Sequence, residues 1–310
     1  PRAGFEAIIK QVKKTELSIT DVVFIIAPRI NAAGRMKHGN HAVNLLTETD
    51  YDTACQYAIE IEKYNTDRKE ADKSITQQAL DQIKANDEEN RKTTVVYQED
   101  WHKGVIGIVA SRLTETYYRP TLVFTKSGDK LAASARSVKG FDVYNALQAC
   151  EEYIEQFGGH KYAAGLTLKE EDYKGFKAKF EEVVTATCEE RLLTPEITVD
   201  AELDLAQITP KFYRILKQFA PFGPGNMRPT FITKNLVDTG YGKKVGADET
   251  HLKITVTQNG TGNRMGGIGF NLGDKYDLIS DQKPFMAAYA LDENEWNNEV
   301  SLQLRVKDVK

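Results

Sequence analysis

Residues 157–165 read FGGHKYAAG, a run of small residues around one titratable ring, the imidazole of His160. Gly158 and Gly159 have no side chains and permit positive φ angles, so an anionic group can approach the backbone N–H groups there. The small residues at 163–165 would let the following element pack closely against its neighbour. The same pattern also fits a Gly-Gly turn and a structural histidine before a packed helix. The segment alone leaves both interpretations open.

The length and composition of the chain indicate a globular protein of two or three domains. Its 310 residues exceed what one hydrophobic core usually supports. The hydrophobic content of 41% and the charged content of 28% are ordinary for a globular protein. No apolar run approaches the roughly 20 residues that cross a bilayer, and no secretory signal pattern opens the sequence. We therefore expect a cytoplasmic protein.

The cysteines and the net charge argue against some classes of function. Cys55, Cys150 and Cys188 are an odd number without C-x-x-C spacing, which argues against a zinc site and against a disulfide framework. The formal net charge of −4 argues against a strongly basic nucleic-acid clamp, although local patches can still bind phosphate. The sequence opens at Pro1 without an initiator methionine and runs at once into a helical pattern. We expect it to be a fragment of a longer chain.

The apolar periodicity predicts an α/β part followed by a β part. A helical pattern without glycine or proline runs from residue 42 to about residue 85, which predicts a long helix that bridges two domains. Strands then alternate with helices, as in an α/β domain with a central sheet. Short strands with Gly and Asn turns follow Pro195 and suit a C-terminal OB-fold barrel of about five strands. The predicted strands are 94–97, 121–125, 131–137, 197–205, 230–241, 251–257, 264–270, 285–291 and 301–306; the predicted helices are 104–117, 143–156, 173–191 and one near 210–219.

Three further places could present donors to a phosphate. In the predicted strand 131–137, alternation puts Ser134 and Arg136 on one face, where a hydroxyl and a guanidinium suit a phosphate; a solvent-facing arginine at a strand end is the alternative. Asn31 and Arg35 lie in a predicted polar loop with a kink at Pro28, which could equally be a helix-capping loop. Residues 101–107, WHKGVIG, fit a strand-to-helix turn with the helix N-terminus open to an anion.

Other catalytic signatures are absent from the sequence. The five histidines show no metal-ligand spacing, and no pair of closely spaced Asp and His residues would assemble a two-metal site. There is no G-x-S-x-G elbow, P-loop or dinucleotide-binding fingerprint. We therefore expect no self-contained hydrolytic centre and no metal ligands in these residues.

Five motifs, taken in order and spacing, resemble the bacterial RecJ single-strand-specific 5′-to-3′ exonucleases of the DHH phosphoesterase superfamily. The motifs are APRINAAGR at 27–35, NTDR at 65–68, WHKGVIGIVASRL at 101–113, SARS at 134–137, and GGH with AAG at 158–160 and 163–165; PFGPGN at 221–226 and HLK at 251–253 also match. The resemblance covers essentially the whole chain. It implies the end of a DHH domain at 1–41, a connecting helix at 42–88, a DHH-associated domain at 89–194 and an OB-fold at 195–310.

The resemblance implies a two-part exonuclease of DNA repair and recombination. In that family a DHH domain holds two manganese or magnesium ions, and the associated domain binds the substrate across a cleft. The DHH motif itself is absent from this sequence, which puts catalysis by these residues alone in doubt. The implied substrate is single-stranded DNA with a 5′ phosphate. The expected partner proteins are a single-strand-binding protein and a helicase.

By the same resemblance, Ser134, Arg136 and His160 hold the phosphate near the 5′ end, and Gly158 and Gly159 let the backbone approach it. Asn31 and Arg35 join this phosphate-binding set. His160 is the one catalytic candidate, and the sequence leaves open whether it is a positive clamp, a hydrogen-bond donor or a general acid. In the OB-fold, Arg228, Lys253 and Arg264 are the candidates for binding the strand. The aromatic Phe270 fits either base stacking or the barrel core.

Two other classes of function compete with the exonuclease. One is a nucleic-acid-binding module without a catalytic role. The other is a phosphodiesterase of dinucleotides or short oligonucleotides, against which the additional OB-fold argues, because a very small substrate needs no long groove. A translation-editing module, a third relative of the associated domain, would lack the context of Ser134 to Arg136 and of Asn31 to Arg35.

Overall fold

The computed structural model describes residues 2–13, 17–258, 262–296 and 299–310. The chain divides into two compact units, Pro1–Pro195 and Glu196–Lys310. Each unit has its own sheet and its own hydrophobic core. The predicted class, an α/β part with a long helix followed by a β part, is confirmed.

The N-terminal part of the first unit is helical. Residues 27–35, predicted above to be a polar loop, instead lie in a helix. Pro28 falls in its first turn, where backbone N–H groups have no partner within a helix and a proline is tolerated. The elements are α1 (Ala3–Gln11), α2 (Ile19–Asp21), a π-helical stretch (Val22–Ile26), α3 (Ala27–Met36), α4 (Asn40–Thr47) and α5 (Tyr51–Ala85).

The long helix α5 begins at an aspartate cap. Asp50 Oδ2 accepts a hydrogen bond from the Thr53 backbone N–H at 2.8 Å. This cap explains why the helical pattern that starts at residue 42 forms two helices, separated by residues 48–50. The first half of α5 shares a core with α1, α3 and α4, and the second half shares another with the first strand and helix of the sheet domain that follows. The buried apolar residues of α5 include Ala54, Ala58, Ile61 and Tyr64 in its first half and Ile75, Ala79 and Ile83 in its second.

The C-terminal part of the first unit is a five-stranded sheet in the order β1-β2-β3-β5-β4. Its first two strands are parallel and the other neighbours are antiparallel. One helix packs on one face, against Val96 and Val123, and two helices cover the other face, around Phe124 and Phe176. The strands are β1 (Thr94–Tyr97), β2 (Thr121–Ser127), β3 (Lys130–Arg136), β4 (Gln156–His160) and β5 (Ala163–Leu168); the helices are α6 (Ile106–Tyr117) on the first face, and α7 (Val143–Gln148) and α8 (Tyr173–Thr187) on the second.

The segment 157–165 forms a β-hairpin, not a turn before a helix. The helix predicted for 143–156 ends at Gln148, and β4 and β5 follow a short 3-10 turn, Glu151–Tyr153. Along β5, Ala164, Leu166 and Leu168 are buried and the residues between them are not. This alternation is a strand signal, which the small residues at 163–165 obscure in the sequence. The helix predicted for 173–191 also stops early, at residue 187.

The second unit is a seven-stranded barrel in the order β6-β7-β11-β12-β10-β9-β8, closed by a further pairing of β7 with β9. Five of these strands are long, as the OB-fold predicts, and the two at the ends of the order are short additions. The strand predicted for 197–205 shrinks to two residues. The elements are β6 (Ala201–Glu202), α9 (Pro210–Lys217), β7 (Phe231–Asp238), β8 (Lys243–Val245), β9 (His251–Gln258), β10 (Met265–Gly269), β11 (Phe285–Trp296) and β12 (Glu299–Val309).

Candidate nucleic-acid-binding sites

Strand β3 carries a serine and an arginine side by side. Arg136 Nη1 donates hydrogen bonds to Ser134 Oγ at 3.0 Å and to the Ala135 carbonyl oxygen at 2.7 Å. Alternation along the strand therefore places the two side chains on one face, as the sequence indicates. Within the described parts of the chain, Nε and Nη2 of Arg136 have no hydrogen-bond partner, so they can still donate to a ligand.

Two glycines bring other elements close to this pair. A Cβ atom on Gly107, in the first turn of α6, would stand 3.0 Å from Ser134 Oγ and 3.0 Å from Arg136 Nη2. A Cβ atom on Gly104 would stand 2.1 Å from the carbonyl oxygen of Arg35, near the end of α3. Arg35 Nη1 in turn donates to the Gly104 carbonyl oxygen at 3.1 Å. Both glycines of the motif at 101–113 are thus required because other residues lie too close for a side chain. Through these contacts Arg35 and Ser134 lie on either side of the same short segment.

These residues line a cleft of about 280 Å³, which we call the arginine cleft; it includes Gly34, Arg35, Lys103, Gly107, Ser134 and Arg136. Neither arginine makes an ion pair with any residue in the described ranges. Burial first, and then the nearby charge of Arg35, lower the pKa of Arg136, although a guanidinium stays charged at neutral pH. No side chain caps the first turn of α6, which also favours negative charge at this end. Without a carboxylate to balance them, these cations form a site for an anion.

The outer face of β4 and β5 continues from the arginine cleft. Strand pairing sets Ser134, Gly165 and Gly158 in one row across β3, β5 and β4. Residues paired in this way share a face of the sheet. A Cβ atom would meet nothing within 4 Å at Gly158, and only the Ala133 carbonyl oxygen, at 3.7 Å, at Gly165. Packing therefore does not require glycine at either position, and their bare backbone leaves room for a ligand. We call this surface the open face.

Gly159 has a different reason to be glycine. Its φ is +154°, and a Cβ atom there would lie 2.4 Å from the Ala163 carbonyl oxygen and 2.5 Å from Ala164 Cα. The hairpin itself excludes any side chain at this position. Of the two adjacent glycines in the motif, Gly159 serves the fold and Gly158 opens the surface.

His160 lies at the far side of the open face. It occupies one row with Ala163 and Arg136, two strands away from the arginine at about 10 Å by ordinary strand spacing. The ring is exposed and has no hydrogen bond to the described residues. Asn31 is exposed on α3, one turn before Arg35 and on the same side of that helix, but it does not line the cleft. The structure thus brings Arg35, Ser134 and Arg136 together and leaves Asn31 and His160 at the margins.

Arg68, on α5, is a cation that the sequence analysis does not assign to the site. Its Nη2 donates to Asn65 Oδ1 at 2.9 Å, and its Nη1 lies 3.9 Å from Asp72 Oδ2. Burial lowers the pKa of Arg68, and the nearby charges of Arg35 and Arg112 add to that effect against the opposing charge of Asp72. The signal that could have found it is the spacing of Asn65 and Arg68, about one helical turn apart in the motif at 65–68.

A separate groove of about 910 Å³ lies on the outer surface of the barrel. We call it the barrel groove; its lining includes Arg214, Lys253, Arg264, Gly266, Phe270 and Gln303. Phe270 is 51% exposed, so it does not belong to the barrel core. The Arg305 guanidinium lies 5.5 Å from the centre of the Phe270 ring, and His251 meets that ring edge-on at 5.2 Å. An exposed aromatic ring beside several cations is the arrangement that binds single strands.

Arg228 does not line this groove. It forms an ion pair with Asp292 at 3.0 Å, donates to the Leu291 carbonyl oxygen at 3.3 Å and lies over the Phe222 ring at 5.6 Å. These contacts tie the segment before β7 to β11, which is a structural role. Of the three cations predicted for the OB-fold, the structure therefore brings together only Lys253 and Arg264, which also line a second hollow beside the exposed Tyr241.

The described residues contain no group of three or more His, Cys, Asp or Glu side chains that could hold a metal ion. In the same part of the chain, no helix has both the length and the apolar character needed to cross a membrane. The three cysteines are free, and burial raises the pKa of Cys150 to about 11, which keeps that thiol protonated at neutral pH.

Comparison with known proteins agrees with this two-unit description. The DHHA1 domain model matches residues 90–186, and the RecJ OB domain model matches residues 199–308. The chain thus carries a DHHA1 domain followed by a RecJ OB domain. RecJ of Bacillus subtilis strain 168, a single-stranded-DNA-specific exonuclease, is 33% identical over 289 residues, which are 93% of this chain and 36% of that protein. RecJ of Escherichia coli strain K12 is 31% identical over 99% of this chain and 54% of its own length.

A crystal structure of RecJ from Thermus thermophilus in complex with Mn²⁺ matches with a TM-score of 0.84 and 27% identity. The match covers 99% of this chain and 44% of that one. Almost the whole chain is therefore similar to a part of RecJ proteins. It spans about a third to a half of the length of the curated relatives it matches.

Proposed function

We propose that this chain is the substrate-holding part of a RecJ-type exonuclease that degrades single-stranded DNA from a 5′-phosphorylated end. The observation that carries the proposal is the arginine cleft, where Arg35 and Arg136 lie close together without a balancing carboxylate and Ser134 supplies a hydroxyl donor. A terminal phosphate carries more charge and more acceptor oxygens than an internal phosphodiester. The cleft therefore suits the end of a strand better than its middle.

Each residue has a distinct part in this proposal. Arg136 donates to the phosphate through Nε and Nη2, while its bond to Ser134 holds the guanidinium in orientation. Arg35 adds a second charge from α3. In the first turn of α6, the Gly107 backbone N–H has no hydrogen-bond partner among the described residues and adds a donor. The open face then receives the first nucleoside against the backbone of Gly158 and Gly165, with His160 at its far edge and Asn31 beside Arg35. In the second unit, the barrel groove holds the strand.

The metal ions of this reaction belong, in the proposal, to the whole protein and not to these residues. Manganese and magnesium are bound in RecJ structures from Thermus thermophilus. The described residues do not fit such ions, because no group of three ligating side chains exists among them. No hydrolytic step is therefore assigned to any residue of this chain. The assignment of residues 1–41 to the end of a DHH domain and of 42–88 to a connecting helix is part of the same proposal.

The cellular setting is also part of the proposal. We place the protein in the cytoplasm, where free and buried thiols such as Cys150 and Cys188 stay reduced. A role in DNA repair and recombination, beside a single-strand-binding protein and a helicase, is proposed from the similarity to RecJ proteins.

The test compares two oligodeoxynucleotides of one sequence, with a 5′ phosphate and with a 5′ hydroxyl, by fluorescence anisotropy. We expect the phosphorylated strand to bind about tenfold more tightly, since hydrogen bonds to charged groups contribute roughly 1.5–3 kcal/mol. Arg136→Ala should abolish this difference. Arg91→Ala, which removes another exposed arginine of the same unit, should preserve it. Equal binding of the two strands by the unaltered chain, or cleavage by the chain alone with manganese, would contradict the proposal.

A further inference from the structure

One glycine in the floor of the barrel groove has no packing reason to be glycine. Gly266 lies in the middle of three strands, paired with Thr255 on β9 and with Gln303 on β12. A Cβ atom on Gly266 would meet nothing within 4 Å. Glycine inside a strand weakens the strand, because it packs nothing and costs more backbone entropy on folding. The fold alone therefore does not explain this residue.

The neighbouring glycines of β10 behave differently. A Cβ atom on Gly267 would lie 3.0 Å from Ile254 Cγ1 and 3.0 Å from the Leu304 carbonyl oxygen, and one on Gly269 would lie 2.7 Å from Leu272 Cδ1. These two glycines face the barrel interior, where neighbours occupy the space. Gly266 faces the groove, and its missing side chain leaves a hollow there.

The hollow is bordered by groups that suit a nucleotide. The next row of the sheet is Lys253, Ile268 and Arg305, so two cations flank an apolar side chain directly beside it. Phe270 follows directly after the end of β10, and its ring is exposed. Two acidic groups lie nearby, and both are paired. Glu293 pairs with Lys217 at 3.0 Å, and Asp292 pairs with Arg228 at 3.0 Å and also lies 3.7 Å from Arg305. Such a surface binds the anionic phosphate backbone and the flat bases of a single-stranded nucleic acid.

Gln303 supplies a polar group at the edge of the hollow. Its side chain is half-buried and makes no hydrogen bond within the ranges that the structure describes. A carboxamide offers both a donor and an acceptor, which matches the paired donor and acceptor on the exposed edge of an unstacked base. Because the side chain is only half-buried and lines the groove, a ligand there can reach both groups of the amide.

We propose that the hollow above Gly266 seats one unstacked nucleobase of the bound strand. The base lies against the bare backbone of Gly266, Gln303 bonds to its edge, and Lys253 and Arg305 hold the phosphates on either side. This inference rests on the proposed function, namely that the barrel groove binds single-stranded DNA. It adds that one position of the strand is bound through its base and not only through its backbone.

The test moves a single abasic residue along an oligodeoxynucleotide and measures binding by anisotropy. For the unaltered chain, we expect one position at which loss of the base weakens binding by about fivefold or more, the order of one stacked base. Gly266→Val fills the hollow and should weaken binding of the intact strand by a similar factor. The variant should then be indifferent to the abasic residue at that position. Valine suits a strand, and its Cβ has open space, so the barrel should keep its stability.

Two further variants sharpen the result. Gly223→Val also adds a side chain where nothing lies within 4 Å, but outside the groove, and should bind like the unaltered chain. Gln303→Met keeps the size of the side chain but removes the amide. It should weaken binding of the intact strand and leave binding of the strand with the abasic residue at that position unchanged. Equal effects of the abasic residue at every position, or unchanged binding by Gly266→Val, would overturn the proposal that a base binds above Gly266. The proposed function would still stand. No binding by the unaltered chain would overturn the proposed function itself, and this inference with it.

Discussion

Gly107 lies against Arg136: a Cβ atom on this glycine would stand 3.0 Å from Arg136 Nη2 and equally close to Ser134 Oγ. The first turn of α6 and the guanidinium therefore occupy adjoining space with nothing between them. Because Arg136 is also bonded to Ser134, the arginine is held from two sides. A phosphate in the arginine cleft would meet an arginine that is already oriented, which reduces the entropy lost on binding.

Gly107→Ala should separate binding from stability. Alanine is favoured over glycine within a helix by about 1 kcal/mol, so the variant should unfold at the same or a higher urea concentration. Its methyl group would displace the Arg136 side chain and should weaken binding of a 5′-phosphorylated oligonucleotide about fivefold or more, the loss of roughly one charged hydrogen bond. Gly223→Ala, at an open site in the second unit, is the control. Unchanged affinity for the 5′ phosphate would show that the contact has no role in binding.

The two glycines of the hairpin should respond in opposite ways to the same substitution. Gly158→Ala meets open space, so urea unfolding should be nearly unchanged while binding of the 5′-terminal nucleotide weakens. Gly159→Ala places a methyl group 2.4 Å from a carbonyl oxygen at a φ of +154°, and should cost about 2 kcal/mol or more of unfolding free energy. Equal losses of stability in the two variants would contradict this division of roles.

The sequence alone predicts those parts of the fold and the site that depend on local patterns. The alternation of strand β3 is enough to put Ser134 and Arg136 on one face, and the uninterrupted apolar period is enough for the long helix α5. Arg35 is different, because its position beside Ser134 depends on a contact with Gly104. These two residues are 69 positions apart in the sequence. No local pattern encodes such a contact.

The hairpin and the barrel show two other limits. Small residues at 158–165 carry little hydrophobic contrast, so the period of two in β5 is weak in the sequence and a turn before a helix reads equally well. The sequence gives no sign that Arg228 is paired, because its partner Asp292 is far along the chain. The two residues meet only when the barrel has folded. Phe270 reads as core or as surface until the strand's orientation is known.

The buried thiol of Cys150 should make stability depend on pH in the alkaline range. Burial raises its pKa from 9.0 to about 11, so the folded state holds the proton more tightly than the unfolded state. This stabilising contribution is complete below pH 9 and is lost as pH rises from 9 to about 11. Cys150→Ala lacks the titrating group, so the gap in unfolding free energy between the two proteins should narrow over that range. All other titrating groups are present in both proteins, so their effects cancel in the difference. A difference in unfolding free energy that stays constant over this range would contradict the raised pKa of Cys150.

The cations of the second unit should divide between binding and stability. Lys253 lines the barrel groove and has no ion pair with the described residues, so Lys253→Ala should weaken binding of single-stranded DNA and reduce the salt slope by about 0.7, one phosphate contact on a single strand. Arg228 is paired with Asp292, so Arg228→Ala should leave the salt slope unchanged. It should lower the unfolding free energy only slightly, by about 1 kcal/mol or less, because the pair is partly exposed and Arg305 lies 3.7 Å from the same carboxylate. Anisotropy titrations at several salt concentrations, with urea unfolding of both variants, measure the two effects separately. A reduced salt slope in Arg228→Ala would mean that this arginine exchanges its carboxylate for a phosphate when the strand binds.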